Sequence, residues 1–541
     1  LHPALLFCGI FIAIFLLHIP LLSLPYFWDE AGYYVPAARD LLLTGSLIPH
    51  TTVSNAHPPL ILAWIALWWK CAGYAPPVTR SAMLVLAAFS LLGVFRLAER
   101  VANTEVALAS TVCAALYPVF FAQSSLAHVD LAAAGLIFWG LLAYFEDRPV
   151  AVSIWFSLAA LAKETAIITP MALAGWESLR YLTGWEPLSS RTLGSNEHAG
   201  VPTSSIKRTL ALLFPSLPLI TWYAYHYLKT GYVFGNPEFF RYNVAATLSV
   251  SRFALALILR LWQVFAYEHL WVLTLAMVLA MWLPPLPQKD ATRPRIAISV
   301  QLVFLVVIVT YTIAMSLIGG AVLARYMLPP LPLVIIASVS TLWRRVPYWP
   351  VFIGLVVAAF VLASFVNPPY GFSPEDNLAY RDYVLLHEEG EQFLEARYPM
   401  SRTLTAWPAS DELARPWLGY VTRPVQVVRI EDFSLEQILS ATDFRANFDV
   451  ALVFSTKYQP AHGMLDDWKG WEELKTRYFG FHRDLPPAAI AQFLGGRIVF
   501  SQERKGQWIA VIEMENIENA RAPDQWSKPN LIVASTGRNE F

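Results

Sequence analysis

Two adjacent carboxylates, Asp29 and Glu30, sit in YFWDEAGYYVPAARD, directly after an apolar run long enough to cross a bilayer. Acids at such a boundary are either solvated or part of a site. Other polar residues share that setting. His57 precedes Pro58-Pro59 in SNAHPPL, His128 and Asp130 lie in SSLAHVDLAAAG, Lys163 interrupts ALAKETAII, and Arg325 opens ARYMLPPLP. A lysine at the centre of a spanning helix costs roughly 2.5–3.5 kcal/mol, so such a residue signals a function with a partner. The planar, permanently charged fork of arginine suits phosphate. The acids could move or hold a proton, and the cations could hold a phosphate. Structural roles stand beside these: Asp29 and Asp130 as helix N-caps, Lys163 paired with Glu164, and Arg325 reaching to lipid headgroups.

The elements that must position these residues are membrane helices. The 541 residues are 56% hydrophobic and only 15% charged, with 20 Trp and 23 Tyr; soluble proteins carry about 25% charge, and aromatic rings are enriched at membrane–water boundaries. The net charge of −1 gives no reason to expect nucleic-acid binding. The three cysteines, Cys8, Cys71 and Cys113, support no disulfide framework and match no zinc spacing. At roughly 20 apolar residues per crossing, about 11 spans are expected, several of them short. They are Leu5–Leu24, Val78–Ala98, Glu105–Ala122, Leu131–Phe145, Ala151–Ala162, Thr165–Tyr181, Thr209–Leu228, His269–Leu283, Ile296–Ile318, Met327–Trp343 and Tyr348–Phe365. The segment HPPLILAWIALWWKCAGYAPP is closed at both ends by Pro-Pro and reads as a helix that does not cross.

With a cytoplasmic N-terminus, every inside loop then carries Lys or Arg, as at Arg96/Arg100, Arg148, Lys207/Arg208, Arg293/Arg295 and Arg344/Arg345, which is the positive-inside pattern. The same topology puts Asp29, Glu30, His57, His128, Asp130, Lys163, Glu238, Arg241 and Arg325 on the outer face. Tyr33 and Tyr34 share helical spacing with Ala37, Ala38, Leu41 and Leu42, which predicts an amphipathic helix in the interface. The long outer connector Gly231–Ser249, with Glu238 and Arg241, could order over a substrate. From residue 367 to 541 no apolar run is long enough to span. The strand-like segments RPVQVVRI, FDVALVFS, GRIVFSQ and QWIAVIEME follow the helical EDNLAYRDYVLLHEEGEQFLEARY. The expected architecture is a mainly α, polytopic body (1–366) with interfacial helices and a C-terminal soluble α/β domain (367–541) on the outer side.

No phosphate-binding GxxxxGK[ST] loop, Rossmann glycine fingerprint, HExxH or GxSxG is present. Chemistry on the outer face then needs a substrate that carries its own activation. The ordered set WDE, HPPL, HVD, KETA and ARYMLPPLP resembles the GT-C glycosyltransferases, and within them the protein O-mannosyltransferase and lipid A aminoarabinose transferase group, over residues 1–365. The resemblance implies an enzyme of a bacterial-type inner or plasma membrane that uses a polyprenyl-phosphate-linked sugar and glycosylates a protein, lipid or cell-envelope glycan. It implies Asp29 as the leading catalytic acid, with Glu30 in the same motif and Asp130 in the second outer loop, and Lys163 and Arg325 as phosphate-binding residues; Arg241 is a further candidate cation. His57, His128, Tyr33, Tyr34 and Glu238 are candidate substrate contacts. His57 stands where the aminoarabinose branch has Lys, and histidine is charged only part of the time near pH 7.

Such chemistry fits the residues. A sugar phosphate has a good leaving group, so an inverting displacement needs one base and cations for the departing phosphate. No cofactor is required by this scheme, although Asp29, Asp130 and His57 are also a candidate ligand set for a divalent cation. The rival reading is a polytopic transporter of a lipid or small solute, which would favour inverted repeats and broken helices at the midplane; the sequence shows no internal repeat.

Overall fold

The computed structural model describes residues 2–184, 205–237, 240–241, 247, 249–288, 291–318, 320–458, 468–481, 483–515 and 532–533. The chain forms two compact units: 1–22 with 37–366, and 23–36 with 367–541. The stretch carrying Asp29 and Glu30, expected in the membrane body, therefore packs with the C-terminal residues.

The first unit is helical. Its main elements are α1 (Pro3–His18), α2 (Leu60–Ala72), α3 (Pro76–Val101), α4 (Thr104–Leu116), α5 (Asp130–Phe145), α6 (Pro149–Ala162), α7 (Ile168–Thr183), α8 (Val250–Phe265), α9 (Leu270–Ala280), α10 (Ile298–Leu317), α11 (Leu331–Arg345) and α12 (Trp349–Phe365). Proline in the first turn opens α1, α3, α6, α11 and α12, where its missing N–H costs nothing. Helix α5 packs against α3 and α6. Gly135 lets α3 approach, since a Cβ there would lie 1.9 Å from Ser90 Oγ, and Gly140 does the same for the Phe156 ring on α6. Leu5, Ile12 and Leu16 on α1 and Leu355 on α12 are exposed, as lipid-facing side chains would be.

Among the described residues, three helices are long and apolar enough to cross a membrane: Pro3–Leu21, Pro76–Val101 and Ile298–Leu317. A fourth is added if α8 and α9, bent by 77°, count as one broken span. The about 11 spans expected from the sequence, several of them short, are not confirmed by this count. The other apolar helices run to 10–17 residues. Helix α5, with 16 residues, reaches about 24 Å against a hydrocarbon core of about 30 Å. Helix α2, with 13 residues, reaches about 20 Å.

The second unit is an α/β layer structure. Its helices include α13 (Ala379–Arg397), α14 (Ala409–Ala414), α15 (Leu435–Asp443) and α16 (Pro487–Leu494). Its strands are β1 (Arg402–Ala406), β2 (Gln426–Ile430), β3 (Val450–Phe454), β4 (Gly496–Arg504), β5 (Gln507–Met514) and β6 (Ile532–Val533), in sheet order β4-β5-β3-β1-β2-β6. β1 pairs parallel with β2 and β3, β2 is parallel to β6, and β5 runs antiparallel to β3 and β4. Every residue of β3, VALVF, is buried, as an apolar run in a covered sheet should be. Residues 23–36 join this unit through the Tyr26 backbone: its N–H donates to Leu418 O (3.4 Å), and its carbonyl accepts from the Tyr420 hydroxyl (3.0 Å).

Candidate functional site

Three separate stretches of the helical unit deliver charged side chains to one place. Helix α6 ends at Ala162, and Lys163 leaves it with extended backbone angles (φ −151°, ψ 132°) before a 3-10 turn, Glu164–Ile167, takes over. Asp130 is the first residue of α5. Arg325 lies in a second 3-10 turn, Ala324–Met327, ahead of Pro329-Pro330 and α11. Lys163 Nζ forms a close ion pair with Asp130 Oδ1, and Arg325 Nε lies 3.4 Å from Asp130 Oδ2. Asp130, Lys163 and Arg325 are 3%, 6% and 2% exposed, so water screens these charges poorly. Two cations face one carboxylate, and the set carries surplus positive charge. Val129, not Asp130, occupies the N-cap of this helix, so the N-cap reading of Asp130 gives way to this ion pairing.

His128 completes the cluster. Its Nδ1 lies 2.8 Å from Gln123 Oε1 and 3.0 Å from Arg325 Nη1. Burial, and then the neighbouring charges of Arg325, Arg80 and Lys163, hold its pKa well below the ordinary imidazole value. The folded protein therefore keeps His128 neutral where the unfolded chain takes up a proton. Stability from this residue is complete above pH ~6.5 and declines as pH falls below it, by up to ~1.4 kcal/mol per pH unit. In melting curves between pH 7.5 and 5.5, His128→Asn is expected to lose less stability than the parent. Equal losses would show that His128 titrates alike in both states.

Several residues that the sequence did not single out hold this arrangement. The Tyr326 ring lies under Lys163 Nζ, 3.9 Å from its centroid, with the Arg325 and Arg260 guanidinium carbons each at 5.6 Å, a cation–π geometry. Arg80 donates to Ser125 O (3.1 Å) and braces the turn before His128. Along α8, Arg252 donates to Gly320 O (2.9 Å), Arg260 to Leu323 O (2.7 Å) and Met315 O (3.2 Å), and Gln263 to Val322 O (2.8 Å). These side chains fix the segment that leads into Arg325. The signal was present, because Arg252 and Arg260 interrupt the apolar run VSRFALALILRLWQVF just as Lys163 interrupts its own.

His57 does not join Asp130 in a ligand set. Its Nδ1 pairs with Glu164 Oε2 at 3.0 Å. Asp130 is committed to two cations, which opposes binding of a third. The candidate metal grouping of Asp130 with His57 is therefore not supported by this geometry. Glu164 takes His57 as a partner rather than Lys163. Arg241 is exposed, and Glu238 lies outside the described residues.

Asp29 and Glu30 have separate roles within the C-terminal unit. The buried Glu30 carboxylate accepts the Phe27 N–H at 2.8 Å and closes its own turn. Asp29 is half-buried and makes no side-chain cap bond to the π-helical turn Glu30–Tyr34 that follows. Capping is therefore not its role. The residue before it, Trp28, has φ +42°, a rare conformation for a bulky side chain. Trp28 is held edge-on to Trp407 (5.0 Å) and Tyr383 (5.6 Å). Gly32 is needed beneath Trp407, whose ring would lie 2.6 Å from a Cβ there. Tyr33 and Tyr34 are buried and pack edge to face at 5.3 Å. They are core residues and not an exposed interfacial face.

No family model and no curated protein matches the sequence. Among solved structures, ArnT from Cupriavidus metallidurans bound to undecaprenyl phosphate shares the fold with TM-score 0.50 and 13% identity, over 96% of this chain and 99% of that one. The Archaeoglobus fulgidus oligosaccharyltransferase complexed with Zn and sulfate aligns at TM-score 0.45 and 10% identity, over 93% and 72% of the two chains. The oligosaccharyltransferase AglB from the same organism, with an inhibitory peptide and a dolichol-phosphate, aligns at 0.42 and 11%, over 97% and 75%. The likeness to ArnT is one of fold, over nearly the whole of both chains.

Proposed function

We propose that the protein is an integral-membrane, inverting glycosyltransferase that moves a sugar from a polyprenyl-phosphate carrier to a hydroxyl acceptor on the outer membrane face. The observation that carries this reading is the buried convergence of Lys163 and Arg325 on Asp130, whose surplus positive charge suits a phosphate group. The ArnT structure that shares this fold was determined with undecaprenyl phosphate, a lipid of the same chemical class.

In the reaction, the acceptor oxygen attacks the anomeric carbon as the bond from that carbon to the phosphate oxygen breaks. The acceptor proton passes to a base, and the polyprenyl phosphate leaves with the bonding electrons. Lys163 and Arg325 stabilise the negative charge that grows on the departing phosphate. Asp130 is a positioning residue that keeps both cations in place. Neutral His128 orients Arg325 without adding charge. Asp29 is assigned as the base on the strength of its WDE motif, and Glu30 is left a structural part in closing the turn. The acceptor is a protein, a lipid or a cell-envelope glycan.

The test is to incubate the purified protein with a panel of radiolabelled polyprenyl-phosphate sugars and membrane fractions. Label is expected to move from one donor into acid-stable product. Failure with every donor and every fraction would overturn the reading. Arg325→Ala is expected to weaken donor binding by at least about tenfold, or ~1.4 kcal/mol, with Arg325→Lys recovering part of it. Unchanged donor affinity in Arg325→Ala would remove this residue from phosphate recognition.

A further inference from the structure

The C-terminal unit contains a second buried cluster, built from residues that have no part in the proposed transfer. His387 and Glu391 stand four residues apart on α13, and so share one face of the helix. Glu412 reaches them from α14. His387 Nδ1 lies 2.7 Å from Glu412 Oε2 and 3.6 Å from Glu391 Oε1. One ligand atom from each residue falls within 4.8 Å of the other two. All three side chains are fully enclosed, at 1%, 0% and 0% exposure.

The surroundings offer these groups little. The Glu391 carboxyl lies against Glu412, and among the described residues Glu412 Oε1 and His387 Nε2 have no hydrogen-bond partner. Tyr383 stacks on His387 at 4.0 Å, Phe454 lies at 4.5 Å, and Tyr420 stands edge-on at 6.4 Å. Two carboxylates enclosed by aromatic rings cannot both stay ionised without a cation, because each raises the cost of the other. A shared proton or a metal ion would relieve this conflict, and the placement of the donor atoms favours the ion. Nitrogen and oxygen ligands at about 2.0–2.2 Å from a tetrahedral centre lie roughly 3.4 Å from one another, and the two distances from His387 bracket that value.

We propose that His387, Glu391 and Glu412 form a binding site for one divalent transition ion of the zinc class, with a structural role inside the C-terminal unit. Two ionised carboxylates and a neutral imidazole balance the charge of such an ion. One imidazole and two oxygen donors, with no thiolate, suit zinc, cobalt or manganese rather than a soft ion. The ion would tie α13 to α14, which β1 separates in the sequence. This inference goes beyond the proposed transfer activity and does not depend on it.

The test uses the full-length protein in detergent, stripped with a chelator and then titrated separately with Zn²⁺ and Co²⁺. One equivalent of zinc per chain is expected by elemental analysis after dialysis, together with a rise in melting temperature. Cobalt is expected to give the visible absorption of a low-coordinate site. The double variant Glu391→Gln/Glu412→Gln keeps side-chain size and is expected to lose the bound equivalent and the cobalt bands. The proposal is overturned if the parent protein binds no stoichiometric zinc, or if the double variant retains the ion and its spectrum. Should the double variant fail to fold, the titration of the parent decides alone, with His387→Gln as the second variant: full retention of the cobalt bands in His387→Gln would also overturn it.

Discussion

Asp130→Asn is expected to destabilise the protein by about 3–5 kcal/mol, because it strands two buried cations without their carboxylate. Lys163 and Arg325 approach opposite oxygens of Asp130, and an amide offers neither of them a charge. The effect should be strongly non-additive. Replacing Lys163 by methionine in the same molecule removes one stranded cation, and Asp130→Asn/Lys163→Met is expected to be more stable than Asp130→Asn alone. Thermal or denaturant unfolding in detergent measures both. If the double variant were no better than the single one, the pair would not be the source of the loss. A neutral substitution that left stability unchanged would place Asp130 in water, against its burial.

Asp29→Asn is expected to behave in the opposite way, with sugar transfer falling by roughly 10²–10⁴-fold, the range for loss of a positioned general base, while melting temperature stays within a degree or two of the parent. The reasoning is that the amide keeps the size and hydrogen-bonding capacity of the half-buried Asp29 side chain and removes its ability to take up a proton as a base. Glu30 is the internal control. Its carboxylate closes the turn onto the Phe27 N–H, so Glu30→Gln should retain much of the function and Glu30→Ala should lose stability. Full transfer activity in Asp29→Asn would remove this residue from the chemistry and shift attention to another base.

What could be read from the sequence follows from how locally each feature is encoded. Lys163, Asp130 and Arg325 stood out because a charge in an apolar run is conspicuous in one dimension. The strands Gln426–Ile430, Val450–Phe454 and Gln507–Met514 announced themselves by β-branched apolar runs. The central strand Arg402–Ala406 did not, because RTLTA is short and half polar, although Thr403 and Thr405 are fully buried. The role of Tyr326 was hidden because an aromatic in a membrane protein has many ordinary uses. The division of labour between Asp29 and Glu30 depends on a turn that no spacing rule specifies. The buried cluster of His387, Glu391 and Glu412 was masked by its own helix, whose LLHEEGEQFLEAR pattern reads as a solvated face. The count of spans was harder to read, because hydropathy registers apolar composition and not where a proline or a polar turn cuts the helix.

The hairpin of α5 and α6 has a consequence for how the protein enters the bilayer. Asp130 opens the first helix and Lys163 follows the last residue of the second, so the acid and the base stand together at the open end of one antiparallel pair. A ribosome-bound chain that released these helices singly would present lipid with an isolated anion and then an isolated cation. Released as a pair, they would enter with the anion and the cation already matched. Lateral exit of the two helices in one step would then be favoured, with Arg325 docking only after about 160 further residues have been made.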